Sequence, residues 1–319
     1  MRQAAWGFHH AMHCPTMHPN RPEHGPELGL EHDLRALALQ QERRQMLRWL
    51  GSLSTLTATA ALPLVGCGGG GDAGSTGTTT NTSSSGTSTD TTSSTSTSGS
   101  SLNTCSVAPE ETAGPYPGDG SNTSNGATSN ALMLASIVRS DIRSSIDGSS
   151  GTAAGIPLVL TIKLTNTNAS CASLEGYAIY LWHCNRDGKY SLYSSGVTDQ
   201  NYLRGVQATD ANGNATFTTI FPGCYDGRMP HMHLEIYRSL TTATSFSNKL
   251  KTTLFFFNDT ATTEIYTNAS GYSTSLTNLG KISFATDNVF SDGVTLEMTT
   301  LSGSVATGYT GQITLSIAA

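Results

Sequence analysis

Two histidines one residue apart, His231 and His233, open a stretch in which Met232, Leu234 and Ile236 alternate with polar or amphipathic Glu235 and Tyr237. Alternation of period two is the pattern of a strand, on which positions two apart face the same side. Both imidazoles therefore aim at one point, and the alternate apolar residues face a core. Just upstream, Tyr225 stands between Gly223 and Gly227, and Arg228 is on the same loop. Two imidazoles, a phenol and a guanidinium make a metal-binding or acid–base constellation. The plainer alternative is a half-buried strand with two incidental histidines. Composition weighs against it: of nine histidines, six lie before residue 33, and only His183, His231 and His233 remain in the part that can fold.

The elements that must position these residues are strands. Pro157 to Asn166 alternates, with Leu158, Leu160, Ile162 and Leu164 on one face. Tyr177 to His183 is apolar almost throughout, as a central strand buried on both faces is. Asp210-Ala-Asn-Gly213 reads as a turn leading into a strand over Asn214 to Ile220. Val294 to Thr300 and Gln312 to Ile317 alternate again, with Gly308 to Gly311 expected as a break. Helical periodicity is scarce. Many short strands separated by turn residues predict an all-β fold, a β-sandwich, over residues 103–319.

The first third of the chain reads differently. Residues 1–66 form an upstream region and an export signal: Arg43-Arg44 precedes a short, weakly apolar run interrupted by Pro63, and Leu64-Val-Gly-Cys67 resembles a lipobox with Cys67 as the acylated residue. Residues 67–102 are nearly all Gly, Ser and Thr, too poor in apolar side chains to bury a core, and are expected to be a flexible linker. The expectation is Tat export of a folded domain that becomes a periplasmic, outer-membrane or cell-surface lipoprotein, touching a membrane only through its lipid. With a formal net charge of −6 and no basic run outside the N-terminal region, nucleic acid is not an expected partner.

Besides Cys14 and Cys67, four cysteines remain: Cys105, Cys171, Cys184 and Cys224. Export makes disulfides plausible. Because Cys184 and Cys224 flank the candidate site, the pairing expected is Cys184–Cys224 and Cys105–Cys171. A cysteine-ligated metal is the rival, but no Cys-x-x-Cys spacing supports it.

A second phenol, Tyr190, follows the Asp187-Gly188 turn. Two phenolates with two imidazoles form a hard, anionic donor set that suits ferric iron better than zinc. The segments Pro109-Glu-Glu-Thr-Ala-Gly-Pro-Tyr116, Leu181-Trp-His-Cys-Asn-Arg-Asp-Gly-Lys-Tyr-Ser191, Tyr202-Leu-Arg-Gly-Val-Gln207 and Thr219 to His233 carry a resemblance to the intradiol ring-cleavage dioxygenases. That resemblance implies a β-sandwich holding one Fe(III) per domain through Tyr190, Tyr225, His231 and His233. It implies Arg228 and Tyr225 as catalytic groups, the arginine stabilising negative charge on the substrate and the phenolate taking a substrate proton. It also implies a small aromatic diol and O2 as reactants and a muconate-type diacid as product. Arg204 and Tyr116 are expected to line the substrate pocket, whereas His183, before a turn on a buried strand, is expected to be structural.

The pattern breaks after His233. Where the family carries a glutamine, the nearest counterpart is Leu254, and residues 254–267 resemble translated sequencing-adapter read-through rather than family sequence. The departure motivates a second hypothesis, a non-catalytic metal- or aromatic-binding β-sandwich module tethered at the cell surface. The oligomeric state and the identity of the catechol are not encoded in any motif.

Overall fold

The computed structural model describes residues 105–319. The signal, the acylation at Cys67 and the linker read from the sequence lie outside those residues. Eleven strands are described. β1 (Asp119–Ser124) and β2 (Ala127–Asn130) form a separate hairpin. The rest belong to one continuous, curled sheet: β3 (Pro157–Asn166), β4 (Ala172–Ser173), β5 (Ala178–Trp182), β6 (Arg204–Ala208), β7 (Asn214–Ile220), β8 (His231–Tyr237), β9 (Lys249–Phe257), β10 (Met298–Ser304) and β11 (Gly308–Ile317).

The order along the sheet is β4-β3-β11-β10-β9-β8-β5-β6, with β7 also paired to β3. β10 is the seam. It runs antiparallel to β11 over five residue pairs, and parallel to β9 through only Met298↔Phe256 and Thr299↔Phe257. On either side of that seam the sheet folds over on itself. Leu158, Leu160, Ile162 and Leu164 of β3 thereby meet Met232, Leu234 and Ile236 of β8 and Ile179 and Leu181 of β5 in one core. Alternation explains this packing, since each strand sends every second side chain inward. β3 and β7 have the expected bounds, and β5 is buried along its whole length.

Three expectations need correction. Gly308 to Gly311 does not interrupt the chain: it is the first part of β11, pairing with β10 on one side and β3 on the other. The alternating stretch expected from Val294 begins as strand only at Met298. A helix, α1 (Asp259–Asn268), capped by the Asn258 side chain accepting from the Ala261 amide, lies in a segment with no expected element. α2 (Ser273–Leu279) follows it. The unusual stretch 254–267 thus occupies the end of β9 and most of α1, burying Phe255, Phe257, Ile265 and Tyr266 in the main core.

The cysteines also differ from expectation. Cys105 and Cys171 form a disulfide that ties the first described residue to the turn before β4. Cys184 and Cys224 are not bonded to one another; both are buried thiols. The Cys184 Sγ donates to the Gly223 carbonyl at 3.4 Å, and the Cys224 Sγ to the Arg228 carbonyl at 3.3 Å. Each thiol is turned to a backbone acceptor, and burial pushes both up to about 12, so neither has thiolate character.

Candidate metal centre

The register of the sheet assembles the site. Across β6, β5, β8 and β9, Arg204, Trp182, His233 and Leu254 are successive pairing partners, and His231 pairs with Phe256 one step along. Directly paired residues share a face, so the two histidines stand on the face opposite the main core. The Trp182 indole lies parallel to the His233 ring, 5.0 Å between centroids and 5° apart in plane, which fixes the plane of that imidazole.

The imidazoles meet tip to tip. The His231 Nδ1–H donates to the Met229 carbonyl at 2.6 Å, which keeps the ring proton on Nδ1 and leaves Nε2 with a bare lone pair. That Nε2 lies 3.0 Å from the Nε2 of His233 and 3.4 Å from the Tyr225 hydroxyl. Burial is the main cause that lowers both histidines, His233 to about 3, and the Arg228 charge adds to it. Both rings are therefore neutral at ordinary pH, the state in which an imidazole binds a metal.

Two loops deliver the phenols. After β5 the Asn185 carboxamide accepts from the Asp187 and Lys189 amides, making a tight turn that presents Tyr190. The Tyr225 loop lies back to back with it: Gly223 N–H donates to the Asn185 carbonyl, and a Cβ on Gly188, at φ +78°, would stand 3.1 Å from the Tyr225 Cα. The Tyr190 ring is 5.8 Å from that of Tyr225 and 6.3 Å from that of His233, and Tyr225 is 5.6 Å from His231, all between centroids. The four side chains read from the sequence therefore form one cluster. Two nitrogens and two phenol oxygens in a largely buried setting fit a hard trivalent ion.

Arg228 is buried in an ion pair, its Nε 3.1 Å from both carboxylate oxygens of Asp287. Its Nη1 also reaches the Tyr225 hydroxyl at 3.4 Å. Loop anchor and neighbour of the phenol are thus the same side chain. Asp287, which accepts from the Met229 amide as well, carries no motif and was not anticipated. His183 is structural, its Nδ1 against the Cys184 carbonyl and its Nε2 against the Thr219 hydroxyl. Tyr116 stands beside the cluster, its ring 4.8 Å from that of Tyr190.

Arg204 departs from expectation. It is 1% exposed, and its guanidinium bonds the Tyr116, Pro117 and Ser191 carbonyls and the Ser191 and Tyr180 hydroxyls, so it has no N–H left for a substrate. Leu254 and Phe256 form an apolar flank beside the histidines, packed with Met229, Val289 and Phe290.

A family model described as Dioxygenase matches residues 138–294, a span that contains both phenols and both histidines of the cluster. An intradiol ring-cleavage dioxygenase from Tetranychus urticae is 25% identical, with 67% of this chain and 95% of that chain covered and a TM-score of 0.50. The chain belongs to the intradiol ring-cleavage dioxygenases. The dioxygenase domain of a dioxygenase–carbohydrate-binding fusion from Streptomyces sp. SirexAA-E is 19% identical, covering 66% of this chain and 98% of that one, with a TM-score of 0.41. The 3-chlorocatechol 1,2-dioxygenase from Rhodococcus opacus 1CP is 17% identical, covering 66% and 71%, with a TM-score of 0.39. No curated protein matches the chain. As a dioxygenase the protein is an oxidoreductase, and its family places it in the cleavage of catechol-type rings.

Proposed function

We propose that this dioxygenase holds one Fe(III) through Tyr190, Tyr225, His231 and His233 and uses O2 to open a catechol-type aromatic between its two hydroxyl-bearing carbons, giving a muconate-type diacid. The observation that carries this reading is the approach of the His231 and His233 Nε2 atoms to 3.0 Å, with the Tyr225 hydroxyl beside them and the Tyr190 ring closing the cluster. When bound, the ferric ion supplies an electron-withdrawing centre that a deprotonated diol can chelate.

The side chains then have separable tasks. His231 and His233 present neutral nitrogens, the first fixed by its bond to the Met229 carbonyl and the second by Trp182. Tyr190, the more buried phenol, serves as the fixed anionic ligand. Tyr225, partly exposed, is the phenol whose oxygen can accept a substrate proton. The Arg228 guanidinium stands beside the Tyr225 hydroxyl, 3.4 Å away. The same cation stabilises negative charge that builds on the ring and its bound oxygens. Leu254 and Phe256 supply an apolar flank that offers no hydrogen bond.

The domain also reads as an exported one, carried by the twin arginine and held by a lipid at Cys67. The Cys105–Cys171 disulfide suits an oxidising compartment and supports that assignment. Oxygen uptake by purified, iron-loaded protein against a panel of catechols tests the enzymatic reading. Uptake that requires both iron and a vicinal diol is expected; a coloured, iron-loaded protein that consumes no O2 with any of them would leave a binding module instead.

A further inference from the structure

The side chain expected to line the pocket is the one that holds two of its walls. We propose that Arg204 is a positioning residue, which locks the segment carrying Tyr190 and the segment carrying Tyr116 together and so sets the spacing of their rings. The inference rests on the reading of Tyr190 as an iron ligand.

The guanidinium is planar and has five N–H groups in a fixed fork. Its Nε donates to the Ser191 hydroxyl at 3.1 Å, and Nη2 donates to the Ser191 carbonyl at 3.0 Å, so two bonds fall on the residue next to Tyr190. Nη2 also donates to the Tyr116 carbonyl at 2.9 Å, and Nη1 to the Pro117 carbonyl at 2.7 Å, so two more fall on the segment that puts the Tyr116 ring 4.8 Å from Tyr190. The fifth goes to the Tyr180 hydroxyl at 3.1 Å, itself a donor to the Pro117 carbonyl. The Tyr193 ring lies beneath the guanidinium, 5.4 Å from its central carbon, and the Tyr193 hydroxyl accepts from the Gly118 amide. Both segments are loops with no ladder of their own between them; the Tyr193 hydroxyl and the Ser124 hydroxyl, which donates to the Leu192 carbonyl, add single bonds, and Arg204 supplies the largest set. The anchor is itself held rigidly, because Arg204 opens β6 opposite Trp182, the residue stacked on His233. One row of the sheet thus fixes a histidine and, through Arg204, the Tyr190 phenol.

A lysine in this place keeps the charge but has one nitrogen with three donors, so it cannot reproduce the five-bond fork that holds Ser191, Tyr116, Pro117 and Tyr180 at once. The full chain carrying Arg204→Lys is compared with the parent in two states. In the iron-free chain, amide exchange at Gly118 and Ser194 should accelerate more than about tenfold, while exchange in β3 stays as it was. In the iron-loaded chain, the tyrosinate-to-iron absorption band should shift and KM for a catechol should rise about tenfold with kcat changed less. Ser191→Ala, which removes one acceptor and keeps the arginine, should move the same quantities in the same direction by a smaller factor. If Arg204→Lys fails to fold, this variant carries the test alone. Parental exchange, band and KM in the variants that fold would overturn the proposal, even with a lowered melting temperature. A parent that takes up no iron, combined with accelerated exchange in Arg204→Lys, would instead sink the iron reading and leave the locking of the two segments standing.

Discussion

The Arg228 guanidinium and the Asp287 carboxylate face each other across 3.1 Å in a setting where each is almost wholly buried. A buried charge without its counter-ion is costly, so removing one partner strands the other. Asp287→Asn should lower stability by about 3–5 kcal/mol, read from urea denaturation. It should also release the Met229 amide, whose carbonyl orients His231, and weaken iron retention with it. Parental stability and iron content in this variant would show that Asp287 holds neither.

Tyr190→Phe and Tyr225→Phe remove one phenol oxygen each from the cluster. Iron retention after dialysis against a chelator should fall by more than about tenfold in each, by analogy with what weaker outer contacts of metal sites cost. The red-brown colour of the loaded protein should fade. Iron content by elemental analysis is the check, and a fully loaded double variant would disprove the ligand assignment.

Thiol counting tests the cysteine arrangement. Native protein should react negligibly with a thiol reagent at Cys184 and Cys224, because both are buried and burial pushes them up to about 12. On unfolding without reductant, both should label, while peptides containing Cys105 and Cys171 should remain linked. Mass spectrometry under non-reducing conditions would reveal a Cys184–Cys224 link if the pairing were otherwise.

Glu297 gives stability a pH dependence. It is buried, its carboxyl bonded to the Thr253 hydroxyl, and burial raises it from 4.5 to about 8. The folded chain therefore binds this proton more tightly than the unfolded one. Its contribution is fully present below about 4.5, declines as pH rises, and is gone above about 8. Relative to the parent, Glu297→Gln should show a shallower fall of melting temperature between pH 5 and pH 8. Superimposable curves would remove Glu297 as the source.

Leu254→Gln places a buried amide among Met229, Val289 and Phe290. It should cost about 1–3 kcal/mol of stability unless the amide finds a partner. A bound catechol or its oxygenated product could provide one, so a thermal shift on adding substrate should be larger in the variant than in the parent. Resequencing the region of residues 254–267 bears on the same position: a different native strand would replace this flank, and an unchanged Phe255-Phe-Phe257 would keep it.

Much of this was legible in the chain because alternation is a local signal. β3, β7 and the histidine strand follow from every second residue being apolar, and the His-x-His spacing puts both rings on one face with no knowledge of the fold. What escaped depended on distant partners. Nothing near Asp287 announces that it will meet Arg228, 59 residues away. Arg204 looked like a pocket wall because charge in a motif suggests contact with substrate; only its buried carbonyl partners show otherwise. Cys184 and Cys224 flank the site in sequence, but their sulfurs turn to separate backbone acceptors. Gly308 to Gly311 resembled a break because glycine is a poor strand former, yet neighbours on both sides hold it in β11.

The back-to-back contact of the loops at Gly188 and Gly223 has an evolutionary consequence. A Cβ at Gly223 would sit 2.4 Å from the Asn185 carbonyl, just as one at Gly188 would press on Tyr225. Neither loop can acquire bulk or drift alone without pushing a phenol off its mark. Natural variation should therefore collect in the exposed loops and in the hairpin, while these two turns are inherited as a pair.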